Sequence, residues 1–558
     1  MAFGQKITAR LVALLHDLFG PQPEVAQFAA HNGRVFARHD GDKQRKSVVL
    51  VEFNEMHSAH IAYSYLANVL ANEHDASIVA HFPHPLSSIG VKLRARIGKL
   101  LNRGSWRVYR SFGVTSFLEI KLTPGITARA RALLPQALAQ INSKSDLENL
   151  TLEGVWIGDL IYDTFLMTMK QPTVELNSPL FRDWLLRSLE TFAFWLDYFD
   201  RHDVRAVNVS HCVYNTAMPL RIAVGRAIPA FQINATHAYR LTKDRVFAYG
   251  DYFDFPRRFA ALPAEVREAG LAEAKARIER RFSGEVGIDM AYSTRSAYGS
   301  FSGQRLLRES DRPKVLIATH CFFDSPHSYG NNLFPDFWEW LEYLGKLSGE
   351  VDFDWYIKTH PDYLPGTKEI IDDFIRRHPN FTLLPAHSSH NQIIAEGVSA
   401  VLTVYGTIGF EYAAKGIKVI NASSCNPHIA YDFNIHPRNL DEYADSISNI
   451  SSSNFKINER KVFEYYYMKN IFNTENYLLP NYAETISLMG GYDAQFTPAI
   501  YAQWVKQWTP ERHAAIIAAL ERFTQSSDFR LDYTHFDSQE PHTQHALEMD
   551  GQARNSGS

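Results

Sequence analysis

Residues 400–421 read AVLTVYGTIGFEYAAKGIKVIN. An apolar, β-branched run (Val401, Leu402, Thr403, Val404) meets a Tyr405-Gly406-Thr407 turn. A helical pattern follows (Ile408, Phe410, Tyr412, Ala413, Ala414), closed by Gly416, and a second apolar run from Ile417 to Ile420 ends the stretch. The pattern predicts strand, helix and strand, with glycine where a helix C-terminus needs a left-handed residue. In a parallel unit of this kind the Gly406 and Thr407 amides lie at the helix N-terminus, beyond the carboxyl end of the first strand, where a phosphate is favoured. The helix dipole contributes only about 0.3–1 kcal/mol, so hydrogen bonds from the amides and from Thr407 must supply most of the grip. An ordinary crossover with a small-residue turn has the same pattern.

Single hydrophobic cores stop growing near roughly 250–300 residues, so a chain of 558 residues is expected to hold two domains plus appendages. An apolar fraction of 45% and a charged fraction of 21% are those of a soluble globular protein. The net charge of −4 argues against a general nucleic-acid binder. Three cysteines, Cys212, Cys321 and Cys425, are far apart and odd in number, which indicates neither a disulfide framework nor a CxxC metal site. A cytoplasmic protein is expected, since no apolar run approaches the roughly 20 residues of a membrane span and no signal-peptide pattern opens the chain.

The expected division is an appended helix and polar loop over 1–45, a Rossmann-like domain on the acceptor side over 46–255, and an interdomain connection over 256–312. A second Rossmann-like domain that binds nucleotide-sugar follows over 313–450, then closing helices over 451–525 and a disordered tail over 526–558. In the first domain, Ser47 to Phe53 reads as a buried strand, His57 to Leu70 as a helix and Ala76 to His81 as a second strand. Glu55 and His57 fall in the turn after the first strand and are candidates for acid, base or substrate contacts, with a capped surface turn as the alternative. His211 and Asn234-Ala235-Thr236-His237 also fall at strand ends, as polar turns at a substrate crevice would.

Two further features carry charge. From Lys92 to Arg110 the residues Lys92, Arg96, Lys99, Arg103, Arg107 and Arg110 recur every three or four positions, and no Asp or Glu occurs between Ala76 and Leu118. Such a stripe fits an anionic lipid surface or a polyanionic acceptor, with Arg96 and Arg103 as candidate contacts; a solvated helix face is the plainer alternative. Gly104 limits a continuous helix to the first half. In LEGVWIGDLIYDTFLMTM, residues 152–169, Asp159 and Asp163 lie one turn apart on a helix face. Like charges at that spacing destabilise unless one caps, binds or takes a proton, which makes both catalytic candidates. Glu153 is a third acidic group, placed near the expected helix start.

The second domain alternates strands (Val315–Ala318, Phe353–Lys358, Phe381–Leu384, Ala400–Val404, Lys418–Ile420) with helices, the pattern of a doubly wound parallel sheet. Polar turns follow its strands at Thr319-His320, Thr359-His360-Pro361, Ser388-Ser389 and Tyr405-Gly406-Thr407. Pro361 holds His360 extended at a strand mouth.

Two facing doubly wound domains make the GT-B architecture. IKTHP at 357–361, GTIGFEYAAKG at 406–416 and NPHIAYDFNIHP at 426–437 resemble the carboxyl-terminal domain of bacterial capsule and surface-carbohydrate glycosyltransferases. GVWIGDLIYD at 154–163 and SHCVYNTAMPLRIA at 210–223 resemble their amino-terminal domain. The His-Pro pair is similar to the motif with which GT-B sialyltransferases hold the phosphate of a CMP-sugar. The resemblance implies donor-phosphate contacts from His360, Gly406 and Thr407, and ribose hydroxyls bonded to Glu411. It implies a nucleotide-sugar donor, a glycan, glycolipid or protein acceptor, and no cofactor; no metal constellation is evident in the residues. Nucleotide-sugar 2-epimerases, wall-polymer glycerophosphotransferases and a non-enzymatic polysaccharide-assembly factor are the rival readings.

Overall fold

The computed structural model describes residues 20–36, 45–86, 88–286, 288–289, 296–301, 303–359, 365–472, 477–479 and 482–536. In chain order its strands are β1 (Ser47–Glu52), β2 (Ser77–His81), β3 (Val114–Leu118), and a short pair, β4 (Thr151–Leu152) and β5 (Val155–Trp156). Then come β6 (Asp203–Val209), β7 (Ala230–Ile233), β8 (Ala238–Leu241), β9 (Lys314–Ala318), β10 (Asp354–Lys358), β11 (Phe381–Leu383), β12 (Ala400–Thr403) and β13 (Lys418–Asn421). Two compact units result, one drawn from 1–132, 189–246 and 475–541, the other from 133–188, 247–474 and 542–558.

The first unit is built on a six-stranded sheet of order β3-β2-β1-β6-β7-β8. All its pairings are parallel except β7 with β8, which closes the edge antiparallel and was not expected from the sequence. The second unit carries an all-parallel sheet of order β11-β10-β9-β12-β13. In each sheet the first strand lies inside, the next two lie to one side and the later ones to the other, so the strand order reverses beside β1 and beside β9. That is the doubly wound topology, and the expected fold class of two Rossmann-like α/β domains is what the chain has. Val49, Leu50 and Val51 in β1, and Val315, Leu316 and Ile317 in β9, are wholly buried, as strands covered on both faces require.

Several expected boundaries move, and the reason each time is apolar surface that finds its partner far along the chain. Residues 23–35 were read as part of a polar loop, yet Pro23–Val35 is a helix whose Val25 and Phe28 lie in the first unit's core. The Phe28 ring stacks on Tyr501 at 4.4 Å. The amphipathic pattern of residues 7–19 lies outside the described residues. The stretch 133–188, expected in the amino-terminal domain, groups with the second unit, as does the expected connection 256–312 where it is described. The closing helices divide: Glu459–Tyr466 belongs to the second unit, whereas Ala499–Gln507 and Pro510–Gln525 pack on His57–Glu73 in the first. Part of the expected disordered tail is ordered, because Leu531 N–H donates to the Ala238 carbonyl (2.9 Å) and Phe529 accepts from Arg240 N–H (2.9 Å), satisfying the edge of β8. Residues 537–558 lie outside the described residues.

Glu153 and Gly154 do not open a helix. They form the turn of the β4–β5 hairpin with φ of +51° and +73°, the left-handed pair that a tight hairpin favours. The helix begins at Gly158, where a Cβ would stand 1.9 Å from the Leu147 carbonyl oxygen. Among the described residues no helix is long and apolar enough to cross a membrane.

The first unit is therefore completed by the chain's last helices. Trp504 is 1% exposed in that core, with its ring edge-on to Tyr65 at 5.7 Å. Trp504→Ala is expected to cost about 3–5 kcal/mol of stability, read as a lowered urea midpoint for the first unit's transition. A midpoint unchanged within error would show that these helices are an appendage.

Candidate functional site

At the carboxyl edge of the second sheet, chemistry gathers where β9, β10 and β12 end. Thr319 follows β9, and its Oγ1 is buried with no hydrogen-bond partner among the described residues. Beside it His320 Nε2 lies 3.2 Å from Thr403 Oγ1 and 3.3 Å from the Val404 nitrogen, while its ring stacks on Phe337 at 4.7 Å and meets Tyr405 at 4.7 Å. Beyond β11, Ser388 Oγ is a second buried hydroxyl without a partner among the described residues, and Ser389 donates to the Gly299 carbonyl (2.7 Å). At the end of β10, Lys358 is 5% exposed and donates to the Ala386 carbonyl (3.1 Å). Burial lowers its ammonium to about 8 against the raising influence of Glu411. His360 and Pro361 lie outside the described residues.

The turn that opened the sequence reading folds as expected, with one change of weight. The helix after it spans only Ile408–Ala413, and Gly416 at φ +74° closes its last turn through Ile417 N–H to the Tyr412 carbonyl. So short a helix has little aligned dipole to offer. The Gly406 amide donates internally to Thr403 Oγ1 (3.2 Å). Thr407 is the exposed residue of the turn. Glu411, expected to receive ribose hydroxyls, is 4% exposed; one carboxylate oxygen pairs with Arg281 and the other accepts from Tyr298 Oη (2.7 Å). Two of the carboxyl-terminal motifs, 406–416 and 426–437, meet: a Cβ on Gly409 would strike the His428 ring at 2.4 Å, so glycine there lets the later motif pack on the helix.

Asp159 and Asp163 are both 2% exposed on the Gly158–Met169 helix. Asp163 is held by a residue the sequence reading did not single out. His327, in the loop after β9, places Nδ1 2.5 Å from Asp163 Oδ1 and Nε2 2.7 Å from Glu148 Oε1, and its backbone N–H donates to Asp163 Oδ2 (3.3 Å). Burial alone would lower the His327 pKa, but the two carboxylates overcome it and hold the imidazolium well above its usual range. Burial, opposed by His327 and aided by Asp159, raises Asp163 to about 6. Next to Asp163 on the helix, Tyr162 Oη donates to Asp336 Oδ2 (2.6 Å), as does Thr173 Oγ1 (2.6 Å), and Asp336 caps the Phe337–Leu347 helix. The same loop reaches the strand mouth, where Tyr405 Oη donates to the Ser325 carbonyl (3.2 Å). Glu148, Asp163 and His327 thus position the loop that borders the site. Neither Glu148 nor His327 sits in a periodic pattern or motif, so only the pairing reveals them.

The first unit's strand mouths carry polar groups of their own. Glu52, at the end of β1 where the strand order reverses, accepts from Ser210 N–H (2.7 Å), Ser210 Oγ (2.6 Å) and Tyr63 Oη (3.1 Å). Glu55 is exposed in the following turn, with Ser105 Oγ 3.5 Å away. His57 is half-buried at the start of its helix, its Nδ1 without a hydrogen-bond partner among the described residues, and burial lowers its pKa against a raising contact from the Phe496 backbone. His211 is exposed. His237 is 7% exposed in a turn organised by Asn234 Oδ1, which accepts from Thr236 N–H (2.9 Å). Arg96 is exposed, whereas Arg103 is half-buried and donates to the Gly20 carbonyl.

No family model and no curated protein matches this chain. Solved structures with a likeness to it include the UDP-GlcNAc 2-epimerase of Neisseria meningitidis bound to UDP-GlcNAc (10% identity over 80% of this chain and 99% of that one, TM-score 0.20). A glycosyltransferase from Rickettsia africae shows 9% identity over 84% of this chain and 100% of that one, with a TM-score of 0.23. A ugt transferase from Siraitia grosvenorii in complex with UDP shows 8% identity over 83% of this chain and 100% of that one, with a TM-score of 0.22. At such overlap and identity, neither the activities nor the ligands of those proteins transfer to this chain.

His327→Ala leaves two buried carboxylates facing each other and is expected to cost about 3–5 kcal/mol. A histidine whose folded pKa is raised contributes stability that is complete below its unfolded value of about 6.5 and lost as pH rises through the folded value. Asp163, also raised, favours the fold as pH falls from about 6, and the group titrates as a unit. The melting-temperature gap between wild type and His327→Ala should therefore narrow steadily on going from pH 7 to pH 10. A gap constant over that range would mean that His327 is neutral in the fold.

Proposed function

We propose that this chain is a metal-independent glycosyltransferase of bacterial surface-polysaccharide assembly. It moves a sugar from a nucleotide-sugar, with CMP-sugars such as a nonulosonate or Kdo as the favoured donor class, to a glycan, glycolipid or protein acceptor. The observation that carries this reading is two buried hydroxyls without partners among the described residues, Thr319 Oγ1 and Ser388 Oγ, after strands of a doubly wound sheet, the first of them next in sequence to His320. Ligands of such sheets bind outside the carboxyl ends of the strands, near the point where the order reverses. A buried hydroxyl left without a partner costs about 1–3 kcal/mol, a penalty a ligand's phosphate or ribose oxygens would relieve. As the nucleotide leaves, negative charge grows on its phosphate, and hydroxyl and imidazole donors stabilise it; one such donor is worth about 10²–10³ in rate.

The acceptor hydroxyl needs a base. Asp163 is committed to His327 and Asp159 is buried, whereas Glu55 and Glu153 are exposed; of these two Glu55 follows the end of a strand of the first doubly wound sheet, and Glu153 lies in the β4–β5 hairpin turn. We assign Glu55 that role, with Asp163 as a positioning residue and His57 beside Glu55 on the acceptor side.

Nucleotide binding gives the direct test. At 100-fold over Kd, one of CMP, CDP, UDP and GDP should add about 2.7 kcal/mol to stability in a thermal-shift series. Thr319→Val with Ser388→Ala should weaken that nucleotide at least about tenfold while leaving the unliganded melting temperature equal or higher, because an unpaired buried hydroxyl is replaced by an apolar group. No shift with any of the four nucleotides would remove the donor site and favour an assembly factor.

Turnover tests the base. Glu55→Gln is expected to lower it by about 10²-fold or more with nucleotide affinity intact. Asp163→Asn should lower the melting temperature, as a positioning residue does. Full activity in Glu55→Gln would return the role to Asp159.

A further inference from the structure

We propose that the helix Ile89–Leu101 is a membrane-surface anchor, which lays its apolar face into the interface of an anionic lipid bilayer. This goes beyond the transferase reading and does not depend on it. Ser88 caps the helix by accepting from Val91 N–H (3.2 Å), and Asn102, left-handed at φ +51°, ends it. Within it only Gly98 is buried. That glycine is the seat of the helix on the first unit, since a Cβ there would stand 2.8 Å from Trp106 Nε1.

Among the described residues the other side of the helix is apolar and uncovered. Ile89, Leu93 and Leu100 are 86%, 56% and 84% exposed. At 100° per residue their positions fall within about 40° of one another on the helix circumference and point away from the Gly98 side. Folding a soluble domain would bury such a stripe against the core, as the plainer reading of this segment expected. Instead the core takes Gly98 and, in part, Ala95. Lys92 and Arg96 flank the stripe on one side and Arg94 on the other, all exposed.

The charge around the helix selects the occupant. Residues 76–118 contain no acidic side chain in a chain whose net charge is −4. A second copy docked through the same face would bring two basic flanks together, which like-charge repulsion opposes. An anionic bilayer accepts both halves of the surface: leucine and isoleucine enter at acyl depth while lysine and arginine stay at the phosphates. Gly104, at φ +54°, then turns the chain into Ser105–Ser111, whose Trp106, Val108 and Tyr109 are buried, so the exposed apolar stripe belongs to the first helix alone.

Vesicle co-sedimentation of the full chain tests the proposal, with phosphatidylcholine vesicles containing or lacking phosphatidylglycerol. Binding should require phosphatidylglycerol and weaken as salt rises. Leu93→Ser with Leu100→Ser should lower the partition coefficient at least tenfold, and Lys92→Gln with Arg96→Gln about five-fold for each charge removed. All four positions are exposed, so both variants should keep the wild-type melting temperature and circular dichroism. Failure of the wild type to bind either vesicle, or equal binding by wild type and both variants, overturns the proposal. So does a lipid-free dimer that the leucine variant converts to monomer, which would assign the face to a second copy.

Discussion

A histidine enclosed by two carboxylates is the interaction on which the second unit's arrangement rests. Each of the three groups would be expensive to bury alone, and together they neutralise much of one another's charge while filling both ring nitrogens of His327. The consequence is mechanical. Glu148 and Asp163 come from a segment that precedes the second sheet by some 150 residues of chain, and His327 comes from the loop that leaves its central strand. Joined, they fix that loop against the Gly158–Met169 helix, and the Tyr162 and Thr173 hydrogen bonds to Asp336 repeat the attachment at the loop's other end. Tyr405 and Ser325 carry the order to the strand mouths, where the unpartnered hydroxyls lie.

The two sheets share a topology but treat their reversal points differently. In the first unit Glu52 occupies that point, its Oε2 accepting from Ser210 and Tyr63, while Asn208 on β6 and Gln232 on β7 keep buried amide atoms without partners among the described residues. In the second unit Thr319 and Ser388 leave capacity unspent in a buried setting.

The first unit also shows why a domain need not be a continuous stretch. Its central His57–Glu73 helix is buried along nearly its whole length, far more surface than its neighbours in sequence can cover. The Pro23–Val35 helix and the closing helices with Tyr501, Trp504, Leu520 and Phe523 supply the missing cover. The same accounting leaves Ile89–Leu101 outside the core, because Trp106, Val108 and Tyr109 from the next turn already fill the space beside β3.

Local pattern was enough for the elements. Apolar runs of strand length alternating with helical spacing identified both doubly wound sheets, Gly416 marked a helix end, and Gly104 marked the break in the basic stretch, since each depends on the conformational preference of residues close in sequence. The strand-end turns followed from the same pattern, which is why Thr319, His320, Tyr405 and Ser388 could be placed at one sheet edge before any contact was known. Which of those groups is occupied could not be read this way. Glu411 looked available until Arg281 and Tyr298 met it, and Asp163 looked like an acid in need of a proton until His327 supplied one. Partners 113 to 164 positions away leave no periodic trace. Only the tertiary structure decided them, because burial and pairing energies depend on distance in space, and chain order does not encode that distance.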